Sequence, residues 1–197
     1  MSTDVEIARL ALQHIGDRFD ISSLGEEGTE AEQVREVFNP TRDALLRGHP
    51  WAFATKYASP ASLVGTPPKQ WQYMYQYPSD CLRMIEVISP VKGSFDVIPF
   101  EVAINSDNAK VIMTDEVDAE IKYTRKVTDS NEFDAEFVMA LSYAIAARIA
   151  MPLTGDLNIA NFLRGQAAIE ASGSMESNSN EGYENQDRMP DWINARA

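Results

Sequence analysis

The chain has 197 residues, is 44% hydrophobic, and carries 17 basic and 30 acidic residues for a formal net charge of −13. It is long enough to bury a sizeable core, and its acidic balance argues against groove reading of nucleic acid, which requires clustered Lys and Arg. The longest apolar stretches are broken by charges or by Pro152, no secretory signal begins the chain, and Cys81, the single cysteine, permits no intrachain disulfide.

Two helices are predicted in the N-terminal part of the chain. The first begins with a capping box, in which Thr3 and Glu6 satisfy each other's backbone donors, and ends at Gly16. The same pattern, Thr29 with Glu32, predicts the start of the second helix. Apolar residues recur at spacings of three and four in both segments, so each helix should bury one face.

The next part of the chain has the texture of short strands. Proline, glycine and asparagine divide it into apolar runs that predict four or five strands of an antiparallel sheet or small barrel. The clearest runs are residues 82–89, 95–102, 111–114 and 120–127.

An aromatic stripe precedes these runs. Trp71, Tyr73, Tyr75 and Tyr77 recur at every second residue, so one strand would point all four rings to the same face. Four rings are too much apolar surface to leave in water, which favours packing against the core, a neighbouring subunit or both. Sugar binding is a further possibility, whereas stacking on single-stranded nucleic acid would need more basic residues nearby.

Two more helices are predicted after the strands. The segment Phe133–Met151 is apolar on almost every side, which is typical of a helix at the centre of a bundle, and Pro152 and Gly155 should end it. Asp156 is placed to cap a fourth helix that continues to Ala171.

The last segment, residues 172–197, has a polar composition that predicts no packed core. Near its end Trp192 and Ile193 could act as apolar anchors, with Arg196 as a charged contact; the alternative is a disordered tail with an incidental tryptophan. We interpret the segment as an extended arm, whose removal should leave the fold intact. Fully extended, it would reach roughly 90 Å.

The predicted fold class is therefore α+β. A four-helix bundle is built from N- and C-terminal helix pairs, and an antiparallel β domain is inserted between them. The corresponding boundaries are residues 1–50 and 129–171 for the bundle halves, 51–128 for the insertion and 172–197 for the arm.

Recognisable catalytic or cofactor-binding motifs are missing from the sequence, which contains no phosphate loop, dinucleotide fingerprint, HExxH or GxSxG pattern. His14 and His49 lie at helix ends without partner ligands, so we predict no catalytic residues, cofactor or metal. An acidic patch could hold a cation, but its irregular spacing favours a solvated turn. The patch consists of Asp115, Glu116, Asp118 and Glu120.

Five sequence segments, in this order, resemble the tail tubular protein A family of short-tailed bacteriophages, and the resemblance covers roughly residues 1–171. The most specific are H-P-W-A-F-A followed by the spaced aromatics and P-S-D-C-L-R. The segments are Ala11–Gly16, Arg42–Arg47, His49–Ala54, Trp71–Arg83 and Phe137–Ala150.

This resemblance implies the same helical bundle with a β insertion, and a structural role without catalysis. It implies an adaptor in the virion tail, assembled in the host cytoplasm, that joins the portal protein to the tail nozzle, formed by tail tubular protein B. A homo-oligomeric ring of twelve copies would surround the DNA exit channel without sequence-specific DNA binding or membrane contact, and tail fibres are a further candidate partner. The stripe residues and Trp192, Ile193 and Arg196 are the candidate interface residues. The alternatives are a virion-associated enzyme acting on bacterial surface glycan and a prophage remnant without a current role.

Overall fold

The computed structural model describes residues 3–16, 20–65, 67–68, 70–91 and 96–180. Over these residues the protein is a mixed α+β fold with four helices and two small antiparallel sheets, which confirms the predicted class. The strands lie between the second and third helices in the chain, where the insertion was expected.

The four helices are α1 (Asp4–Ile15), α2 (Thr29–Gly48), α3 (Ala135–Thr154) and α4 (Leu157–Asn180). The capping box at α1 is confirmed, because Thr3 accepts a hydrogen bond from the backbone of Glu6 and donates its own backbone N–H to the Glu6 carboxylate.

Two predicted helix ends are wrong. Thr29 does not cap α2, because it is already helical and Gly28 occupies the cap position without a side-chain bond. Pro152 does not end α3, because a proline in the last turn removes one hydrogen bond while its φ remains compatible with a helix. The helix ends at Gly155, the other stop signal predicted, whose φ of 67° is a left-handed conformation that favours glycine.

Within the described part of the chain, six strands form two three-stranded sheets. Strand β6 lies between β1 and β3 in one sheet, and β5 lies between β2 and β4 in the other, all pairs being antiparallel. The strand that sequence reasoning missed is β1. It directly follows the segment H-P-W-A-F-A, residues His49–Ala54, which we call the H-P-W motif. The bounds are β1 Thr55–Ala58, β2 Tyr73–Gln76, β3 Cys81–Ile88, β4 Phe100–Ile104, β5 Lys110–Thr114 and β6 Glu120–Arg125.

Apolar side chains form two separate clusters. The first is contributed by all four helices and by the H-P-W motif, with Trp51 fully buried beside Phe137 at a ring-centroid distance of 5.0 Å. The second contains side chains from both sheets, including Tyr75, Ile112 and Tyr123. Burial of these two clusters supplies most of the favourable free energy of folding, at about 25 cal/mol per Å² of apolar surface.

Helix α3 lies at the centre of the helical part, in contact with α1, α2 and α4. Among the described residues it is the one helix long and apolar enough to cross a membrane by length and composition, and half of that apolar stretch is buried inside the protein. A core helix meets the same criteria, and the contacts with three other helices are those of a core helix, as the sequence predicted.

Charged side chains join the helical part to the sheets. The buried guanidinium of Arg42 donates two hydrogen bonds to Asp43, at 2.8 and 2.9 Å, and Lys126 lies 2.7 Å from the other Asp43 oxygen. Partial burial alone would raise the pKa of Asp43, but hydrogen bonds from Lys126 and Arg42 hold it below its ordinary value. Arg47 also donates to the carbonyl of Leu82 in β3. These contacts fix the β1–β6–β3 sheet to the end of α2.

Helix α4 continues to Asn180, so residues 172–180 belong to it and the predicted start of an arm at residue 172 is wrong. Ser174 is buried and donates to the carbonyl of Glu136, and Met175 packs against the first apolar cluster. The composition suggested no core because polar side chains dominate, yet several of them bond to α3 and to the H-P-W motif. Trp192, Ile193 and Arg196 lie outside the described residues.

Two truncations test this boundary. A chain ending at Ala171 should lose about 2–4 kcal/mol of unfolding free energy, because it loses the burial of Met175 and the hydrogen bonds of Ser174 and Asn178. A chain ending at Asn180 should match the full chain. Urea denaturation followed by circular dichroism measures both. Equal stability of the two truncations would show that the end of α4 contributes nothing to the fold.

Candidate interaction surfaces

The aromatic stripe is divided between the core and the surface. Tyr73 and Tyr75 lie on β2 and point, with Tyr77 after it, into the cluster shared by the two sheets. Tyr75 is 3% exposed, pairs with Ile112 of β5, and donates its hydroxyl proton to the carbonyl of Glu116 at 2.8 Å. The structure thus places the centre of the stripe in the core of the β region.

The two ends of the stripe differ from its centre. The predicted seven-residue strand contains four residues, so Trp71 lies outside β2, half-buried, and donates its indole N–H to Glu101 at 3.0 Å. Tyr77 is half-buried beneath the ammonium group of Lys110, 3.8 Å from its ring centroid, and burial raises the pKa of its hydroxyl. Whether Trp71 contacts another subunit stays a prediction.

Substitutions at Tyr75 test its assignment to the core. Tyr75→Ala should reduce the free energy of unfolding by about 3–5 kcal/mol, because it removes a buried ring, and Tyr75→Phe by about 1–2 kcal/mol, because it removes the hydrogen bonds to the Glu116 carbonyl and from the Ala119 backbone N–H. Tyr57→Ala, at a tyrosine 57% exposed on β1, is the matched control and should cost below about 1 kcal/mol. Chemical denaturation measures all three, and equal losses at both tyrosines would contradict the assignment.

Helix α4 exposes an apolar surface that sequence reasoning missed. Phe162 and Ile169 are each 63% exposed and lie two turns apart on one side of the helix, and Met139 of α3 is exposed beside Ile169. We call these three residues the α4 face. The sequence does contain one sign of this surface, which is a low density of charge. Arg164 and Glu170 are the only charged residues between positions 157 and 175 of a chain that is 24% charged.

A groove of about 470 Å³ lies on the outer side of the β2–β5–β4 sheet. Val64 and Ile104 are exposed at this groove, while Met113 forms part of its floor. Among the described residues that line it, Asp107 is the one carboxylate. The groove therefore does not bring together the carboxylate pair used in glycoside hydrolysis.

The histidines occupy two separate junctions of the helical part. His14 stacks on Tyr143 with ring centroids 3.7 Å apart, and its Nε2 lies 3.0 Å from the hydroxyl of Ser142. His49 lies beside Trp51, and its Nε2 is 2.9 Å from the amide nitrogen of Asn178. Burial lowers the pKa of both histidines. Each histidine joins elements that are distant in sequence.

The predicted acidic patch forms the turn between β5 and β6. Asp115 accepts a hydrogen bond from the backbone of Gln72 at 2.9 Å, and Asp118 has a left-handed φ of 52°. Over the part of the chain that the structure describes, no three His, Cys, Asp or Glu side chains are grouped to hold a metal ion. Cys81 is half-buried at the start of β3, where burial raises the pKa of its thiol.

No protein-family model matches the chain, and no curated protein matches it.

Proposed function

We propose that the protein is a structural adaptor of a short-tailed phage virion, assembled as a homo-oligomeric ring between the portal protein and the tail nozzle. The observation that carries the proposal is the α4 face, a nearly uncharged apolar surface on an otherwise acidic protein. Large exposed apolar side chains that lie together mark protein–protein contacts. The kind of assembly is proposed from the five ordered sequence segments that resemble the tail tubular protein A family.

In this proposal the four helices form the bundle of the ring wall, and the α4 face packs against a different surface of the next subunit. Such a head-to-tail contact generates a closed ring when its rotation divides the circle evenly, as twelve copies would require. The acidic chain would repel DNA phosphates, so that DNA passes through the ring without adhering.

Glutamate substitutions on the α4 face test the proposal. The double variant Phe162→Glu, Ile169→Glu should fold like the wild type, because both side chains are exposed, but should fail to form a ring because two charges would enter an apolar contact. Native mass spectrometry with the cognate portal protein measures ring formation. The wild type should be monomeric or weakly associated alone and form a ring on the portal.

The matched control is Val64→Glu, Val97→Glu, which places the same two charges on exposed apolar residues of the β region. This variant should assemble like the wild type. Normal assembly of the α4-face variant would show that this face is not the subunit contact. Two results would contradict the adaptor role itself. One is a stable dimer that does not bind the portal protein, and the other is hydrolysis of bacterial surface glycan by the purified chain.

The C-terminal segment supplies a second, independent test. We propose that residues 181–197 act as an arm with Trp192 and Ile193 as anchors on the portal or on a neighbouring subunit. Starting at Asn180, the segment can reach roughly 60 Å, less than the roughly 90 Å expected when the arm was placed at residue 172. Deletion of residues 181–197 should leave folding unchanged and weaken portal docking, and Trp192→Ala should reproduce much of that loss in a surface-binding measurement. Unchanged docking of the truncated chain would restrict the portal contact to the helices.

A further inference from the structure

The last turn of α4 is tied to the H-P-W motif by one amide side chain. The carbonyl oxygen of Asn178 accepts a hydrogen bond from the backbone N–H of Ala52 at 2.9 Å. Its amide nitrogen lies 2.9 Å from Nε2 of His49 and 3.5 Å from the carbonyl of Pro50. One side chain thus contacts three of the four residues from His49 to Ala52, which lie 126 to 129 residues earlier in the chain.

This arrangement determines the protonation state of His49. The backbone N–H of Ala52 can only donate, so the carbonyl oxygen of Asn178 must face it, and the NH₂ group must face His49. An NH₂ group can only donate hydrogen bonds, so Nε2 of His49 must accept the hydrogen bond from Asn178. The imidazole is therefore neutral, with its proton on Nδ1.

A proton on Nε2 would place two donors against each other. Rotation of the Asn178 amide by half a turn would not relieve the conflict, because the NH₂ group would then face the N–H of Ala52. No orientation of Asn178 satisfies both Ala52 and a charged His49. Protonation and the docked position of Asn178 therefore exclude each other.

The charged groups around His49 oppose its protonation as well. The guanidinium of Arg83 on β3 donates to the carbonyl of Gly48 at 3.3 Å, next to the imidazole. Lys122 of β6 and Tyr57 of β1 line the same groove as His49. Burial lowers the pKa of His49, and the charge of Arg83 lowers it further.

The carboxylates on this side of α4 belong to α3. Asp134 and Glu136 line a small cavity together with Asn178 and Trp51. Glu136 is engaged by α4 itself, because Ser177 donates to its carboxylate at 2.9 Å. The hydroxyl of Ser174 lies 3.0 Å from the Glu136 backbone carbonyl and 2.7 Å from the Glu170 carbonyl of its own helix, and it shares its one proton between them. These serine contacts involve no histidine, so they hold α4 independently of His49.

We propose that the contact between Asn178 and neutral His49 is a pH-sensitive latch, which holds the last turn of α4 on the H-P-W motif and opens when His49 is protonated. Release of α4 exposes His49 to water, so its pKa lies closer to the ordinary value of 6.5 than it does in the docked form. The released form therefore binds the proton more readily. Docking is fully favoured above about pH 6.5, and its equilibrium constant falls by at most about tenfold per pH unit below that.

His14 provides a contrast within the same chain. The hydroxyl proton of Ser142 goes to the carbonyl of Met139 at 2.8 Å, so the serine oxygen is free to accept a hydrogen bond from His14. That bond persists when His14 gains a second proton. His14 is therefore an internal reference whose contact survives acidification.

The nearly isosteric substitution Asn178→Asp tests the latch, because it should reverse the pH dependence of docking. In Asn178→Asp one carboxylate oxygen can accept from Ala52 while the other accepts from protonated His49. The pKa of His49, followed by NMR titration of the full-length chain, should lie below 6.5 in the wild type and above 6.5 in Asn178→Asp. In Asn178→Ala it should move from the wild-type value towards 6.5, and the titration of His14 should not change in either variant.

Hydrogen exchange measures the opening directly. Amide protection of residues 174–180, corrected for the intrinsic exchange rate, should fall between pH 7.5 and 5.5 in the wild type and rise in Asn178→Asp. Ser177→Ala should lower protection equally at both pH values, because it removes a contact that does not titrate with His49. Protection that is independent of pH in the wild type, or the same His49 titration in the wild type and Asn178→Asp, would overturn the latch.

Discussion

Helix α3 has apolar side chains on almost every side, and the rest of the helical part is arranged to remove them from water. Its fully buried residues include Phe137, Leu141, Ile145 and Ile149, and α1, α2 and α4 all contact it. A 20-residue helix of this composition could not remain in water alone, because each large apolar side chain gains about 1.5–3 kcal/mol on burial. Since α1 and α2 precede the strands and α3 and α4 follow them, burial of α3 also brings the two ends of the β region together.

The β region is attached to this helical core through a few polar contacts and through the H-P-W motif. Trp51 belongs to the first cluster, and β1 begins four residues later, so the chain passes from one core to the other with almost no linker. A second contact lies at the other end of the β region, where the chain passes from β6 towards α3. It is formed by Arg42, Asp43 and Lys126. The ion pair that spans the boundary is Lys126 with Asp43, and Arg42 holds the Asp43 carboxylate in place for it.

The sequence predicted most of the fold where its pattern had a single physical interpretation. The capping box at Thr3, the apolar α3, the cap at Asp156 and the β runs 82–89, 111–114 and 120–127 were read correctly, because each is determined by local periodicity or by a nearby side chain. The run 95–102 was placed too early, since β4 is Phe100–Ile104. Residue 172 was misread because the limit of α4 depends on tertiary contacts that no local pattern contains. Pro152 was misread because a proline in the last turn costs only one helical hydrogen bond, and Thr29 because α2 begins one residue earlier than its capping pattern predicted. Strand β1 was missed because its four residues show little alternation, and it pairs with β6, some 63 to 69 residues away.

The candidate surfaces were harder to predict than the fold, and α4 shows why. Between positions 172 and 180 its sequence is polar and of low complexity, a composition that describes a disordered segment equally well. A helix and a disordered segment of this composition differ in whether each polar side chain has a hydrogen-bond partner. Ser174, Ser177 and Asn178 each have one. Hydrogen bonds of this kind contribute only about 0.5–1.5 kcal/mol each, so the end of α4 is held less firmly than its apolar beginning. The same helix therefore presents an exposed apolar face near its middle and, at its end, a turn held largely by hydrogen bonds.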